Sequence, residues 1–132
     1  MKPEDNTSRP RIDVVAAVVR RNGKVLLADR PLSKPPQGWE FPGGKREPGE
    51  TLNEALRREL QEELGVDSLP LDLLYVTDCG RIRLHFIRTL LPEDAVPQGR
   101  EGQSLRWVGL SGGVPAGLLP GDLNFWKFLT FF

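Results

Sequence analysis

The chain has 132 residues, long enough for one domain with its own core and too short for two ordinary ones. A composition of 39% hydrophobic and 27% charged residues, with 12 Pro and 14 Gly, excludes fibrous and disordered classes and predicts a globular domain rich in turns. With 18 basic and 18 acidic side chains the formal net charge is zero, so no global field favours nucleic acid or anionic membranes, and any phosphate ligand must be held locally.

Residues 1–10 are polar and lack the apolar stretch of a signal peptide, which predicts a mobile tail ahead of a single domain over residues 11–132, in the cytoplasm. Residues 12–19 form an apolar, β-branched run that predicts a buried central strand. Asn22-Gly23 then turns the chain into a hairpin strand over residues 24–28, because this pair readily takes positive φ. A loop over residues 31–38 leads to a short extended piece, Trp39-Glu40-Phe41, and Pro42-Gly43-Gly44 predicts a further turn.

Between Thr51 and Leu64 the period becomes helical, with Leu52, Leu56, Leu60 and Leu64 every four residues, a start at Thr51 or Glu50, and Gly65 as the stop. Strands follow over residues 71–77 and 82–90, joined by a turn at residues 78–80. Cys79, the single cysteine, excludes an intrachain disulfide; a small strand residue is its plain role and a nucleophile the alternative. A polar loop over residues 92–103, a strand over 105–108, a Gly/Pro-rich connection over 111–121 and a short helix complete the chain. In that helix Phe125, Phe128, Leu129 and Phe132 form one stripe suited to core packing, while Trp126 falls off it and is left for a membrane-surface or dimer contact.

The first helix carries Glu59, Glu62 and Glu63 within roughly 100° of one another on one face. Like charges at these spacings cost about 0.2–0.5 kcal/mol per pair, and they lie at the unfavourable end of the helix dipole. Arg58 neutralises part of this charge, and a divalent cation held by carboxylate oxygens is the fuller answer. Gly43-Gly44 and a further acid, Glu50, precede the helix and leave backbone groups open to a metal or a phosphate.

Gly44, Glu50, Arg58, Glu59, Leu60, Glu62, Glu63, Gly65 and Val66 follow the spacing Gly, five residues, Glu, seven residues, Arg-Glu, aliphatic, any, Glu-Glu, any, Gly, aliphatic. This stretch resembles the Nudix signature at every position, and the strand order around it is similar to the Nudix fold, an α/β arrangement with a mixed β-sheet sandwiched between helices. The resemblance implies hydrolysis of a nucleoside diphosphate linked to another group, by attack of water on phosphorus, with Mg²⁺ as cofactor and Mn²⁺ able to substitute. It implies Glu59, Glu62, Glu63 and the Gly44 carbonyl as metal ligands, with Arg58 orienting the carboxylates. Two residues compete as general base: Glu59, and Glu101 in Arg100-Glu101-Gly102-Gln103, which resembles a Lys/Arg-Glu-Gly-Gln stretch of the MutT-like branch and also makes Glu101 a candidate metal ligand.

The MutT-like resemblance extends to the substrate. Lys45 and Arg30 are the basic groups expected nearest the phosphates; Arg30 resembles a substrate-contacting arginine, with an ion pair to Asp29 as its alternative. Phe41, in Trp39-Glu40-Phe41-Pro42-Gly43-Gly44-Lys45, stacks on a base or serves the core. Asp122 stands where that branch carries an Asn or Asp that reads the base edge, with a helix N-cap as its alternative use. The expected substrate is a (deoxy)nucleoside triphosphate, with 8-oxo-dGTP removal as nucleotide-pool sanitation first and CTP or dCTP the competitor. A non-catalytic Nudix nucleotide-binding module would be expected to lose signature carboxylates that this chain retains. No nucleic acid or membrane partner is expected, and the protein is expected to be a monomer or weak homodimer.

Overall fold

The computed structural model describes residues 11–30, 33 and 35–129; the expected tail over residues 1–10 and the last stripe position, Phe132, lie outside the described residues. In chain order the elements are β1 (Ile12–Val18), β2 (Arg20–Arg21), β3 (Lys24–Asp29), β4 (Trp39–Glu40), β5 (Gly43–Lys45), α1 (Leu52–Leu64), β6 (Leu69–Cys79), β7 (Ile82–Leu90), β8 (Leu105–Gly109) and α2 (Pro120–Trp126). A mixed four-stranded sheet has the order β5-β1-β7-β6, with β1 parallel to β7 and the other pairs antiparallel. A second, antiparallel sheet has the order β2-β3-β4, with β8 also paired to β3.

Side chains of β1 alternate between two cores, which is why the run is apolar without polar alternation. Val15 and Ala17 pack with α1 on one face of the mixed sheet, and Ala16 and Val18 pack with Phe125, Trp126 and Leu129 on the other. The sheet is thus sandwiched between the two helices. The apolar run does not stay in one strand as expected. β1 ends at Val18, and the Val19 carbonyl accepts the Leu26 N–H (3.1 Å) in the second sheet, so the chain crosses between sheets there. Asn22 (φ 52°) and Gly23 (φ 74°) then make the tight turn of the β2–β3 hairpin.

Residues 42–44 also depart from expectation: Gly43 and Gly44 belong to strand β5 rather than to a turn. The Ala17 N–H bonds the Pro42 carbonyl (2.7 Å), and Gly43 lies so close to the Val15 carbonyl that any Cβ would collide with it. The glycine is needed here for close strand approach, not for bending.

Helix α1 starts on a capping box, in which Thr51 Oγ1 accepts the Glu54 N–H (3.1 Å) and Glu54 Oε1 accepts the Thr51 N–H (2.8 Å). It stops at Gly65, in the left-handed region at φ 66°. Ala55, Leu56, Leu60 and Leu64 are buried against the sheet. Each buried leucine contributes about 1.5–3 kcal/mol, which outweighs the repulsion among the glutamates on the adjoining face.

The stripe expected at the C-terminal end holds only in part. Phe125 and Leu129 are fully buried, but Phe128 is 44% exposed and stacks on Tyr75, with ring centroids 5.4 Å apart. Trp126, expected off the stripe, is in the core, 6.2 Å from the Phe41 ring. The exposure of Phe128 follows from the helix end: α2 stops at Trp126, and a tighter bond from the Phe128 N–H to the Phe125 carbonyl (2.8 Å) shifts the phase of the residues beyond it. Among the described residues no helix is long and apolar enough to cross a membrane.

Candidate active site

Two adjoining cavities share Arg30, Glu40, Gly43, Gly44 and Lys45 in their walls. The polar one, about 440 Å³, is further lined by Glu59, Glu62, Glu63, Glu101 and Gln103. The other, about 260 Å³, is mainly apolar, with Phe41, Cys79, Ile82 and Leu84 in its walls and Asp122 at its edge. β5 forms the boundary between them because it is the edge strand of the mixed sheet and faces the acidic side of α1.

Arg58 organises the polar cavity. Its Nε and Nη2 donate to the Glu50 carboxylate (2.7 and 2.9 Å), Nη1 to Glu59 (2.9 Å) and Glu62 (3.3 Å), and Nη2 also to the Lys45 carbonyl (2.9 Å). The guanidinium beside it pulls the Glu50 carboxyl down to about 2, so Glu50 is an anchor for Arg58. Glu59 moves the other way: burial raises its carboxyl above the usual range, more strongly than Arg58 lowers it.

Glu63 is the most perturbed acid of the group. Burial first, then the neighbouring Glu59, Glu101 and Glu40 charges, push its carboxyl up to about 8. Its Oε2 is buried without a hydrogen-bond partner. An orphaned carboxylate oxygen among like charges is costly, and a divalent cation would satisfy both the atom and the repulsion. Among the described residues no three acidic, His or Cys side chains yet gather as an ion-holding group. Mg²⁺ takes oxygen ligands, keeps several waters and shares its shell with substrate phosphates, and the carboxylates of Glu59, Glu62 and Glu63 that line this cavity are donors of that kind. The donor set therefore fits the ion.

Glu101 reaches this cavity because its loop docks on the end of α1. The Gln98 and Arg100 N–H groups donate to the Leu64 (3.1 Å) and Glu63 (2.8 Å) carbonyls, and Gln103 Oε1 accepts the Glu101 N–H (2.8 Å). These contacts occupy helix carbonyls that would otherwise lack partners. Arg30 and Lys45 line both cavities. Arg30 pairs with Glu40 (Nε to Oε2, 3.8 Å) and not with Asp29, whose Oδ1 accepts the Ser104 N–H (2.6 Å).

The Phe41 ring takes the core alternative. It is 3% exposed among Phe86, Phe125 and Trp126, so it supports the apolar cavity from behind and does not present a face for base stacking. Asp122 is not an N-cap: Leu119 holds that position, and Asp122 Oδ1 accepts the Phe41 N–H (2.9 Å) from inside the first turn. Burial pushes the Asp122 carboxyl up to about 7. Glu40 was not foreseen as a site residue, although strand alternation in Trp39-Glu40-Phe41 sets it opposite its two aromatic neighbours; its carboxyl too is raised by burial.

The model described as NUDIX domain matches residues 9–125. The chain belongs to the Nudix family. Among curated Nudix relatives, a CTP pyrophosphohydrolase of Escherichia coli (strain K12) is 40% identical over 119 residues, 85% of this chain and 86% of the relative. An 8-oxo-dGTP diphosphatase of Haemophilus influenzae is 36% identical over 105 residues, 74% of this chain and 75% of the relative. The solution structure of the E. coli ORF135 protein superposes with a TM-score of 0.76 at 33% identity, covering 95% of this chain and 92% of the other. The chain is accordingly a Nudix pyrophosphohydrolase of the MutT-like type that acts on nucleotides.

Proposed function

We propose that this enzyme hydrolyses a (deoxy)nucleoside triphosphate to the monophosphate and pyrophosphate in a Mg²⁺-dependent reaction, with the phosphates in the acidic cavity and the base in the apolar one. The observation that carries this reading is the Glu63 oxygen, buried and unpartnered among Glu59, Glu101 and Glu40, beside a cavity large enough for phosphates. Glu59, Glu62, Glu63 and the Gly44 carbonyl would hold the ion. When bound, Mg²⁺ neutralises charge on the phosphate oxygens and lowers the pKa of a ligated water.

Arg58 fixes Glu59 and Glu62, and Lys45 and Arg30 receive the phosphates. Because the Glu59 carboxylate is engaged by a guanidinium, we assign the base to Glu101: its carboxylate takes a proton from the attacking water as the new P–O bond forms and pyrophosphate leaves.

Asp122 reads the base. A cytosine nucleotide is favoured over 8-oxo-dGTP because the CTP-hydrolysing relative matches more of the chain at higher identity; Asp122 can meet the exocyclic amine of cytosine as well as the N–H groups of guanine. Pyrophosphate release with Mg²⁺ over CTP, dCTP, dGTP and 8-oxo-dGTP tests this order. The cytosine assignment is lost if kcat/KM for 8-oxo-dGTP exceeds that for CTP. In the same assay Glu101→Gln should lower kcat by about 10²-fold or more; a near wild-type kcat would return the base role to Glu59.

A further inference from the structure

Asp13 and His85 stand outside the signature, Arg46 fills one of its unspecified positions, and none of the three lines either cavity, yet they join the mixed sheet to the site. Residues 45–50 run from the last residue of β5 toward α1, and two arginines hold them from opposite sides. From α1, Arg58 grips the Lys45 carbonyl and the Glu50 carboxylate. From the sheet side, Arg46 Nη1 donates to the Glu50 carbonyl (3.1 Å), while Nε and Nη2 donate to Asp13 Oδ2 (3.2 and 3.1 Å). The Arg46 N–H also bonds the Asp13 carbonyl (2.8 Å).

The second Asp13 oxygen lies 3.0 Å from His85 Nε2 on β7. His85 is 8% exposed and its Nδ1 has no partner, which is least costly when Nδ1 carries the lone pair and Nε2 donates to Asp13. Both Asp13 oxygens are thus engaged, and its carboxyl is held below the usual range by His85 and Arg46.

We propose that Asp13 and Arg46, steadied by His85, are positioning residues: they fix the 45–50 loop, and through Glu50 and Arg58 they fix Glu59 and Glu62 in the geometry that takes the divalent cation. This inference rests on the metal assignment above. The Arg46 and Asp13 side chains remain 34% and 25% exposed, so solvent screens their pair and it adds little to stability. Metal geometry is far less forgiving, since outer partners of ligands are worth about 10–100-fold in affinity or activity.

The test is direct Mn²⁺ binding without nucleotide, read from the free-ion electron paramagnetic resonance signal, on wild type, Arg46→Ala, Arg46→Lys, Asp13→Asn and Glu62→Gln, with thermal unfolding alongside. Arg46→Ala should weaken Mn²⁺ binding about 10-fold and lower kcat by a similar factor, with KM for the nucleotide within about twofold and the fold retained. Arg46→Lys should recover only part of this, because one ammonium cannot span both Asp13 and the Glu50 carbonyl, and it carries the readout if the alanine variant fails to fold. Wild-type Mn²⁺ affinity in Arg46→Lys, Arg46→Ala and Asp13→Asn, with Glu62→Gln impaired, overturns the positioning role alone. Undiminished binding in Glu62→Gln overturns the metal assignment, and the inference with it.

Discussion

Asp122 shows what burial does to one carboxyl. It sits 5% exposed at the edge of the apolar cavity, and its carboxyl titrates near 7 instead of near 3.8. The native state therefore keeps a proton that the unfolded chain releases, so the stability is complete below the unfolded value, falls as pH rises toward 7, and is flat above it. Asp122→Asn keeps an oxygen for the Phe41 N–H and removes the titration. Urea unfolding should show the variant gaining on wild type by on the order of 2–3 kcal/mol between pH 5 and pH 8. A difference that does not change with pH would mean that this carboxyl does not carry the effect. Sequence alone left this residue between a cap and a base reader. The cap is ruled out by where residues 39–43 pass, about eighty positions away, a distance no local pattern spans.

At the scale of an element, β5 is three residues long and does two different jobs with adjacent glycines. A Cβ on Gly43 would strike the Val15 carbonyl, which is backbone and cannot yield, whereas on Gly44 it would strike the Glu59 carboxylate, the end of a flexible side chain. Gly43→Ala should cost about 1–3 kcal/mol or more in chemical denaturation. Gly44→Ala should unfold close to wild type yet lose most turnover, because Glu59 is displaced. Equal stability losses in both variants would refute the distinction. Helix α1 was legible in advance because its period, its Thr51 cap and its Gly65 stop are local. β5 was not, because two glycines read as a turn until a partner strand is placed beside them.

Across the whole molecule, the folded chain gathers Glu40 from β4, Glu59, Glu62 and Glu63 from α1, and Glu101 from a loop around one polar cavity. A cation that binds only this assembled cluster must stabilise the fold. At about a hundredfold excess over its dissociation constant, Mg²⁺ should add roughly 2.7 kcal/mol, or on the order of 10 °C in Tm. Glu63→Gln should raise the metal-free Tm and remove most of the Mg²⁺-induced rise. A Tm insensitive to Mg²⁺ and to its removal by chelator would exclude binding at this cluster.

The sequence by itself determined the reaction class, since Gly44 to Val66 encodes its spacing along one loop and one helix, where chain distance and spatial distance agree. Tertiary structure alone decided that Glu101 joins that cluster, that Arg30 faces Glu40, that the Phe41 ring and Trp126 enter the core, and that Asp13 bonds both Arg46 and His85. Those relations cross between strands and loops far apart in the chain, and packing sets them, not periodicity.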